Sequence, residues 1–276
     1  MIVRLDGTQL IVHHDASTAA SIYRRYRIAS MSKMMTSVTA LTLVEEGTID
    51  LKDDVAKYIP SFANLKVLRK GKADQDGIVR TLKPAPLKQP MTVQNLFTHT
   101  SGLTYGFLGD CPEVADEMKA KNVEFNPELT GSPWEDEPNS AVVDRLATIP
   151  LVCQPGTAWH YSVSIDVLGN LVERVAGKNL MQVMQERLFE PLGMADTCFQ
   201  VPAEKAGRLS ACYAIAAASG PFAATPQPGE EGQPYLLKDG RWSTVYLPTR
   251  MYLSTLMACD RSPPLSPPPR ALHALC

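Results

Sequence analysis

Arg27-Ile-Ala-Ser-Met-Ser-Lys-Met-Met-Thr-Ser-Val-Thr-Ala-Leu-Thr-Leu-Val-Glu-Glu-Gly47 decides the reading of this chain. Met34, Val38, Leu41 and Val44 recur at three- and four-residue spacing and Gly47 follows as a stop, so the spacing predicts a helix over residues 30–46, about four turns long. Met35 and Leu43 widen the apolar stripe, which places the helix inside the fold, buried on more than one side. Ser30 falls in its first turn and Lys33 one turn on. Positions three apart are neighbours on one helix face, so the amine is within reach of the hydroxyl.

That pairing has a chemical use. A serine hydroxyl is a poor nucleophile until a base takes its proton, and an amine held in apolar surroundings can be that base. A helix N-terminus adds partial positive charge and backbone N–H groups suited to a developing oxyanion. The tetrapeptide Ser-x-x-Lys alone is weak, arising by chance about once in a chain of this composition, and an ordinary N-cap serine with a solvated lysine would look the same. Its place before a buried helix gives the lysine a reason to be there.

Outward from this helix, Ile2-Val-Arg-Leu5 and Gln9-Leu-Ile-Val12 flank Asp6-Gly7, the signal for a tight hairpin. Residues 51–90 read as mixed, with turns at Pro60, Gly71 and Asp76-Gly77, and Pro84, Pro86 and Pro90 argue against regular structure. A short helix fits residues 92–98 with Thr92 as N-cap, and Thr100-Ser-Gly102 reads as the turn beyond it. Residues 110–140 are acidic and read as loop; helices follow at 140–149, at 164–176 with Gly177 as stop, and at 180–189 between the Asn179 cap and Pro191. Beyond about Pro221 the periodicity weakens, and no internal repeat is visible.

The chain has 276 residues, with 27 Lys+Arg against 29 Asp+Glu, a formal charge of −2. The near-neutral balance excludes an electrostatic nucleic-acid binder. Hydrophobic residues make up 45% and charged residues 20%, as in soluble globular domains, and no run is long and apolar enough to span a bilayer. Arg4 and Asp6 interrupt the N-terminus where a secretory signal needs an apolar stretch, so the expectation is a cytoplasmic protein that associates with neither nucleic acid nor membrane. Six cysteines are scattered with no C-x-x-C pair, and no metal or cofactor is implied. His13-His14 would diverge on a strand and could not easily share an ion.

Six blocks in order resemble the serine hydrolases of the class C β-lactamase fold, and most closely the carboxylesterases related to them. Residues 27–33 look like the nucleophile helix and Leu43-Val-Glu-Glu-Gly-Thr-Ile-Asp-Leu51 like its continuation; Val93-Gln-Asn-Leu-Phe-Thr-His-Thr-Ser-Gly-Leu-Thr-Tyr-Gly106, Pro155-Gly-Thr-Ala-Trp-His-Tyr-Ser162, Asp166-Val-Leu-Gly169 and Pro191-Leu-Gly-Met194 match the rest. The resemblance covers roughly residues 2–213. It implies an α/β fold, an antiparallel sheet flanked by helices with a mostly helical insertion, as in β-lactamases and D-alanyl peptidases.

The resemblance also implies a third catalytic residue, Tyr161. A phenol beside an ammonium releases its proton more readily and can serve as base, then as acid to the leaving group. Tyr105 and Phe107 fall in a loop that, by resemblance, borders the cleft and lines an apolar acyl or alcohol pocket, although loop aromatics packing on the body fit equally well. His99 reads as a residue shaping the turn after its helix, with no acidic partner to make a Ser-His-Asp triad, and it receives no catalytic role.

The pattern breaks in three places. Val163 stands where β-lactamases keep the Asn of Tyr-x-Asn, which favours an esterase. Lys238-Asp-Gly240 has the letters of the family's later oxyanion motif, but its setting reads as a hairpin turn. The helix expected before the first hairpin is missing, and the chain ends in Arg261-Ser-Pro-Pro-Leu-Ser-Pro-Pro-Pro-Arg270 where the family adds strands, so the expectation is a shortened member with an incomplete sheet. The division expected is a hydrolase domain over residues 1–220 and a divergent Pro-rich segment over 221–276.

The function expected is hydrolysis of small-molecule carboxylic esters of small or medium acyl chain, through an acyl-enzyme on Ser30 with Lys33 and Tyr161 sharing base and acid duties. The alternatives are a β-lactamase or D-alanyl peptidase activity, and a non-catalytic fragment that binds a ligand without turnover.

Overall fold

The computed structural model describes residues 3–5, 8–10, 26–70, 82–108, 111–123, 138–199 and 254–255. Among them helix dominates and strand is confined to three two-stranded antiparallel ladders. The first pairs β1 (Val3–Leu5) with β2 (Thr8–Leu10) in the register Val3↔Leu10, the antiparallel pair expected there, with the Asp6-Gly7 turn itself outside the described residues. The second pairs β3 (Tyr26–Arg27), just before the nucleophile turn, with β6 (Ser254–Thr255).

The third ladder corrects an expectation: β4 (Lys66–Lys70) pairs with β5 (Leu82–Pro86), although Pro84 and Pro86 had argued against regular structure. The two prolines are two residues apart, so both missing N–H groups fall on one side of the strand, and an edge strand tolerates that. β4 is paired on its other side as well, with Leu68 N–H donating to Leu151 O at 2.9 Å and Leu151 N–H to Lys66 O at 2.7 Å, so the open edge belongs to β5.

The expected helix at 30–46 begins with a single 3-10 turn, Ala29–Met31, and continues as α1 (Ser32–Glu45), with Gly47 at φ 73° beyond its end. Its buried face differs from the apolar stripe. Met34 is 59% exposed, whereas Ser32, Thr36, Thr39, Ala40 and Leu43 face the core, and Val38 is buried on another side. Polar residues enter the core here because Thr36 and Thr39 donate to the carbonyls of Ser32 and Met35 one turn back, at 3.2 and 2.8 Å, leaving no hydroxyl unpaired. Their small size lets the neighbouring helix approach.

That neighbour is α5 (Ser164–Ala176), with the expected bounds and with Gly177 at φ 65° as its stop. It packs against α1, α2 (Val93–Phe97), α4 (Asn139–Leu146) and α6 (Leu180–Met184), and Val167, Leu168, Leu171 and Val172 on it have no exposed surface. A Cβ at Gly169 would sit 2.9 Å from Leu180 Cδ2 and 3.6 Å from Thr36 Cγ2, so the glycine sets how closely three helices meet. A π-helical turn, Gln185–Phe189, continues α6 to the end expected before Pro191.

Thr92 is the N-cap expected, and the structure adds a full capping box, with Asn95 N–H donating to Thr92 Oγ1 at 3.3 Å and Thr92 N–H to Asn95 Oδ1 at 2.9 Å. Residues 110–140, expected as loop, contain α3 (Pro112–Ala120). Proline at the first helical position and Glu113 in the first turn favour a helix start, and Val114 and Met118, four apart, supply a buried face that the acidic composition obscured. No helix among the described residues is long and apolar enough to cross a membrane. His13-His14, Gly71, Asp76-Gly77, Lys238-Asp-Gly240 and the 261–270 tail lie outside the described residues.

Candidate active site

Ser30 and Tyr161 occupy equivalent positions on two packed helices. Ser30 lies in the turn that leads into α1 and Tyr161 three residues before α5 begins. Ser30 Oγ is 2.9 Å from Tyr161 Oη, and Lys33 Nζ, one turn along, donates to Ser30 Oγ at 3.4 Å. The same ammonium stands 5.0 Å from the centre of the Tyr161 ring and 5.8 Å from that of Tyr105, a cation facing two electron-rich rings. Ser30 is exposed and Lys33 and Tyr161 are half-buried, so the hydroxyl is open to a substrate while the other two are held from behind.

What holds Tyr161 is a pair of loops laced together by backbone. Val152 N–H donates to Gly102 O at 2.9 Å, Gly156 N–H to Thr100 O at 2.7 Å and His160 N–H to His99 O at 2.9 Å, so the 99–102 turn runs beside the segment that leads to Tyr161. The approach is close enough that Gly102, at φ 85°, is obligatory, since any Cβ would collide with the Cys153 carbonyl oxygen.

Rings pack around the phenol. Tyr161 lies 5.4 Å from Tyr105, 5.1 Å from His99 and 6.4 Å from Trp159, and Tyr105 stacks on Phe107 at 5.1 Å. The two residues expected to line a substrate pocket therefore differ in exposure. Tyr105 is buried, with its hydroxyl donating to Asp166 Oδ2 at 3.4 Å, and acts as a supporting wall; Phe107 is 48% exposed. Val163 is buried at the start of α5 and faces the core.

His99 does shape the turn after α2, at φ 54°, but its ring does more. Nδ1 accepts the Ser162 backbone N–H at 3.2 Å and contacts Ser162 Oγ at 3.3 Å. Burial first, and then the Lys33 charge, pushes its pKa down to about 4, so the imidazole is neutral near pH 7. Sequence reasoning missed this contact and those of Ser162, Ser164, Ser101 and Asp166. Their common signal was small polar residues inside the blocks 93–106 and 155–169, where a solvated loop has no need of them.

Among the described residues no group of three or more His, Cys, Asp or Glu side chains is placed to hold a metal ion, and Cys111 and Cys153 are free thiols. A separate cavity of about 660 Å³, lined by Phe62, Lys66, Pro84 and Met91 among others, contains none of the site residues.

A family model described as Beta-lactamase matches residues 13–252. The lovastatin esterase of Penicillium rubens is 36% identical over 172 residues, 62% of this chain and 39% of the esterase. The ML-236A carboxylate methylbutanoyltransferase of Penicillium citrinum is 32% identical over 175 residues, 63% of this chain and 37% of the transferase. The unliganded structure of simvastatin synthase (LovD) from Aspergillus terreus aligns at a TM-score of 0.63 and 25% identity, over 86% of this chain and 52% of that one. The chain thus spans about two fifths of the length of these two curated relatives.

Proposed function

The chain belongs to the Beta-lactamase family and has its β-lactamase/transpeptidase-like fold, and we propose that it cleaves carboxylic esters of small or medium acyl chain through an acyl-enzyme on Ser30. The observation that carries this reading is the 2.9 Å contact between Ser30 Oγ and Tyr161 Oη, with the Lys33 amine on the same oxygen. Ser30 Oγ attacks the ester carbonyl carbon and its proton passes to Tyr161, which enters the step as its phenolate. The tetrahedral intermediate collapses, the C–O bond to the alcohol breaks, and Tyr161 returns the proton to the departing oxygen. Water then repeats the sequence on the acyl-serine and releases the acid. Lys33 balances the negative charge that moves between the two oxygens and, with the helix N-terminus, favours attack.

The large apolar side chains exposed among the described residues are Met31, Met34, Phe107, Leu108 and Trp159, each within a few residues of Ser30, Tyr105 or Tyr161. An apolar mouth around a serine nucleophile suits an acyl chain, and Val163, buried and without an amide, offers nothing to a penicillin side chain. The same apolar mouth supports a second reading, acyl transfer to an acceptor alcohol in place of water, and one relative is named a methylbutanoyltransferase. The finer fold proposed is an antiparallel sheet flanked by helices with a mostly helical insertion.

Intact mass measurement after incubation with a fluorophosphonate, on wild type beside Ser30→Ala, tests the reading, followed by turnover of p-nitrophenyl butyrate and of nitrocefin. A single adduct on wild type that Ser30→Ala lacks, with ester turnover and no nitrocefin hydrolysis, is expected. Absence of both adduct and turnover overturns the enzyme reading, and faster nitrocefin than ester hydrolysis replaces the esterase with a β-lactamase.

A further inference from the structure

Behind Tyr161 runs a chain of serines with no exposed surface: Ser101 Oγ is 2.7 Å from Ser164 Oγ, which is 2.6 Å from Ser162 Oγ, which is 3.3 Å from His99 Nδ1. Backbone donors enter it twice, Leu103 N–H onto Ser101 Oγ at 3.1 Å and Ser164 N–H onto Ser162 Oγ at 3.3 Å. Each hydroxyl has one proton to give, and the one member able only to accept is an unprotonated imidazole nitrogen. The chain therefore ends on a nitrogen that accepts, with the Ser162 hydroxyl 3.3 Å from it. The Ser162 backbone N–H, aimed at the same nitrogen from 3.2 Å, closes the alternative, because a proton on Nδ1 would face that N–H.

His99 also accepts through its backbone. His160 N–H donates to His99 O at 2.9 Å and Ser162 N–H to His99 Nδ1, so the residues on either side of Tyr161 are both anchored on one residue. The ring packs on the Tyr161 ring at 5.1 Å between them. The geometry points to His99 as a positioning residue: locked as the Nε2–H tautomer at the end of the serine chain, it clamps the Tyr161 segment and holds the phenol oxygen at hydrogen-bond distance from Ser30. This deepens the proposed function and rests on its assignment of proton transfer to Tyr161. A shift of the segment by an ångström would break the 2.9 Å contact without altering any group that touches substrate.

Three variants separate the clamp from a general structural role. His99→Gly accepts the left-handed backbone and removes the acceptor. His99→Asn also tolerates that backbone and places Oδ1 where Nδ1 stands. His99→Leu removes the acceptor and keeps the bulk. For p-nitrophenyl butyrate, Gly and Leu should lower kcat about 10–100-fold with KM within about threefold, while Asn stays within about fivefold of wild type. Wild-type kcat in His99→Gly, or equal losses in Asn and Gly, overturns the clamp.

Long-range ¹H–¹⁵N correlation on the wild-type imidazole reads the tautomer directly and does not depend on turnover. An Nε2–H tautomer above pH 5 supports the proposal and an Nδ1–H tautomer refutes it, even if no ester proves to be a substrate and the catalytic reading fails separately.

Discussion

Replacing Tyr161 with Phe removes one oxygen, the one 2.9 Å from Ser30 Oγ, and leaves the ring in its packing against His99, Tyr105 and Trp159. The fold should register little of this, because the ring is half-buried and is gripped through its faces and edge. The chemistry should register it fully. Proton transfer by a positioned side chain contributes about 10²–10⁴-fold, or about 3–5 kcal/mol of barrier, so kcat for p-nitrophenyl butyrate should fall by that factor with KM nearly unchanged. Fluorophosphonate labelling should slow in parallel, since that step also needs Ser30 to lose its proton. A second substrate divides the roles: p-nitrophenolate leaves without help, whereas a simple alkoxide must be protonated, so Tyr161→Phe should harm an alkyl ester more than the activated one. The reasoning assigns the nearer oxygen as proton acceptor and Lys33, at 3.4 Å, as its electrostatic partner. If Tyr161→Phe keeps more than about a tenth of wild-type kcat while Lys33→Met loses it, the roles are reversed and the distance argument fails.

His99 titrates at about 4 in the fold against 6.5 when free, facing Lys33 and Tyr161. The unfolded chain therefore binds more protons between those values, so this contribution is fully present above pH 6.5 and is lost as pH falls toward 4. The ceiling is about 3 kcal/mol, and solvent at the half-buried ring should screen it to about 1–2 kcal/mol; urea denaturation of wild type and His99→Asn from pH 7 to 4.5 should show the slope only in the former. Gly102→Ala places a methyl on the Cys153 carbonyl at a φ of 85° and should lower Tm by about 5–10 °C, whereas an unchanged melt would mean that the two loops can separate freely. Phe107→Ala should cut kcat/KM about tenfold for p-nitrophenyl hexanoate and less than about twofold for the acetate, and equal losses on both would remove Phe107 from the acyl pocket.

Local signals were legible wherever a few neighbouring residues decide the conformation. Thr92 caps α2 and Gly177 ends α5, each as its residue type and place imply. The same local logic misjudged Pro84 and Pro86, because whether a proline is tolerated depends on which strand edge stays unpaired, a fact about Leu151 more than sixty residues away. It also mistook the buried face of α1. Apolar spacing pointed at Met34, but the core wanted small side chains there, and threonines whose hydroxyls bond back to the helix meet that need. Ser30, Lys33 and Tyr161 were legible because their blocks carry a family resemblance. The serine chain and His99 were not, because buried serines reveal themselves only by what they touch.

The placement of Ser30 and Tyr161, the proposed catalytic pair, explains why that small-residue face matters. Ser30 lies two residues before α1 and Tyr161 three residues before α5, so the contact between their oxygens is set by how those helices lie against each other. Their closeness depends on Thr36 and Gly169, about 130 residues apart in sequence and both remote from the hydroxyl that reacts. A bulky residue at either position would separate the helices and draw apart the oxygens at their ends. Ser30 can thus remain exposed and still meet the Tyr161 oxygen, because its partner arrives beside a second helix docked to the first. Lys33 needs no such device, since its own helix carries it one turn past Ser30. The site is accordingly two local arrangements, Ser-x-x-Lys on one helix and the clamped Tyr161 segment before the other, joined by a single packing distance. Of these, only that distance depends on the whole core.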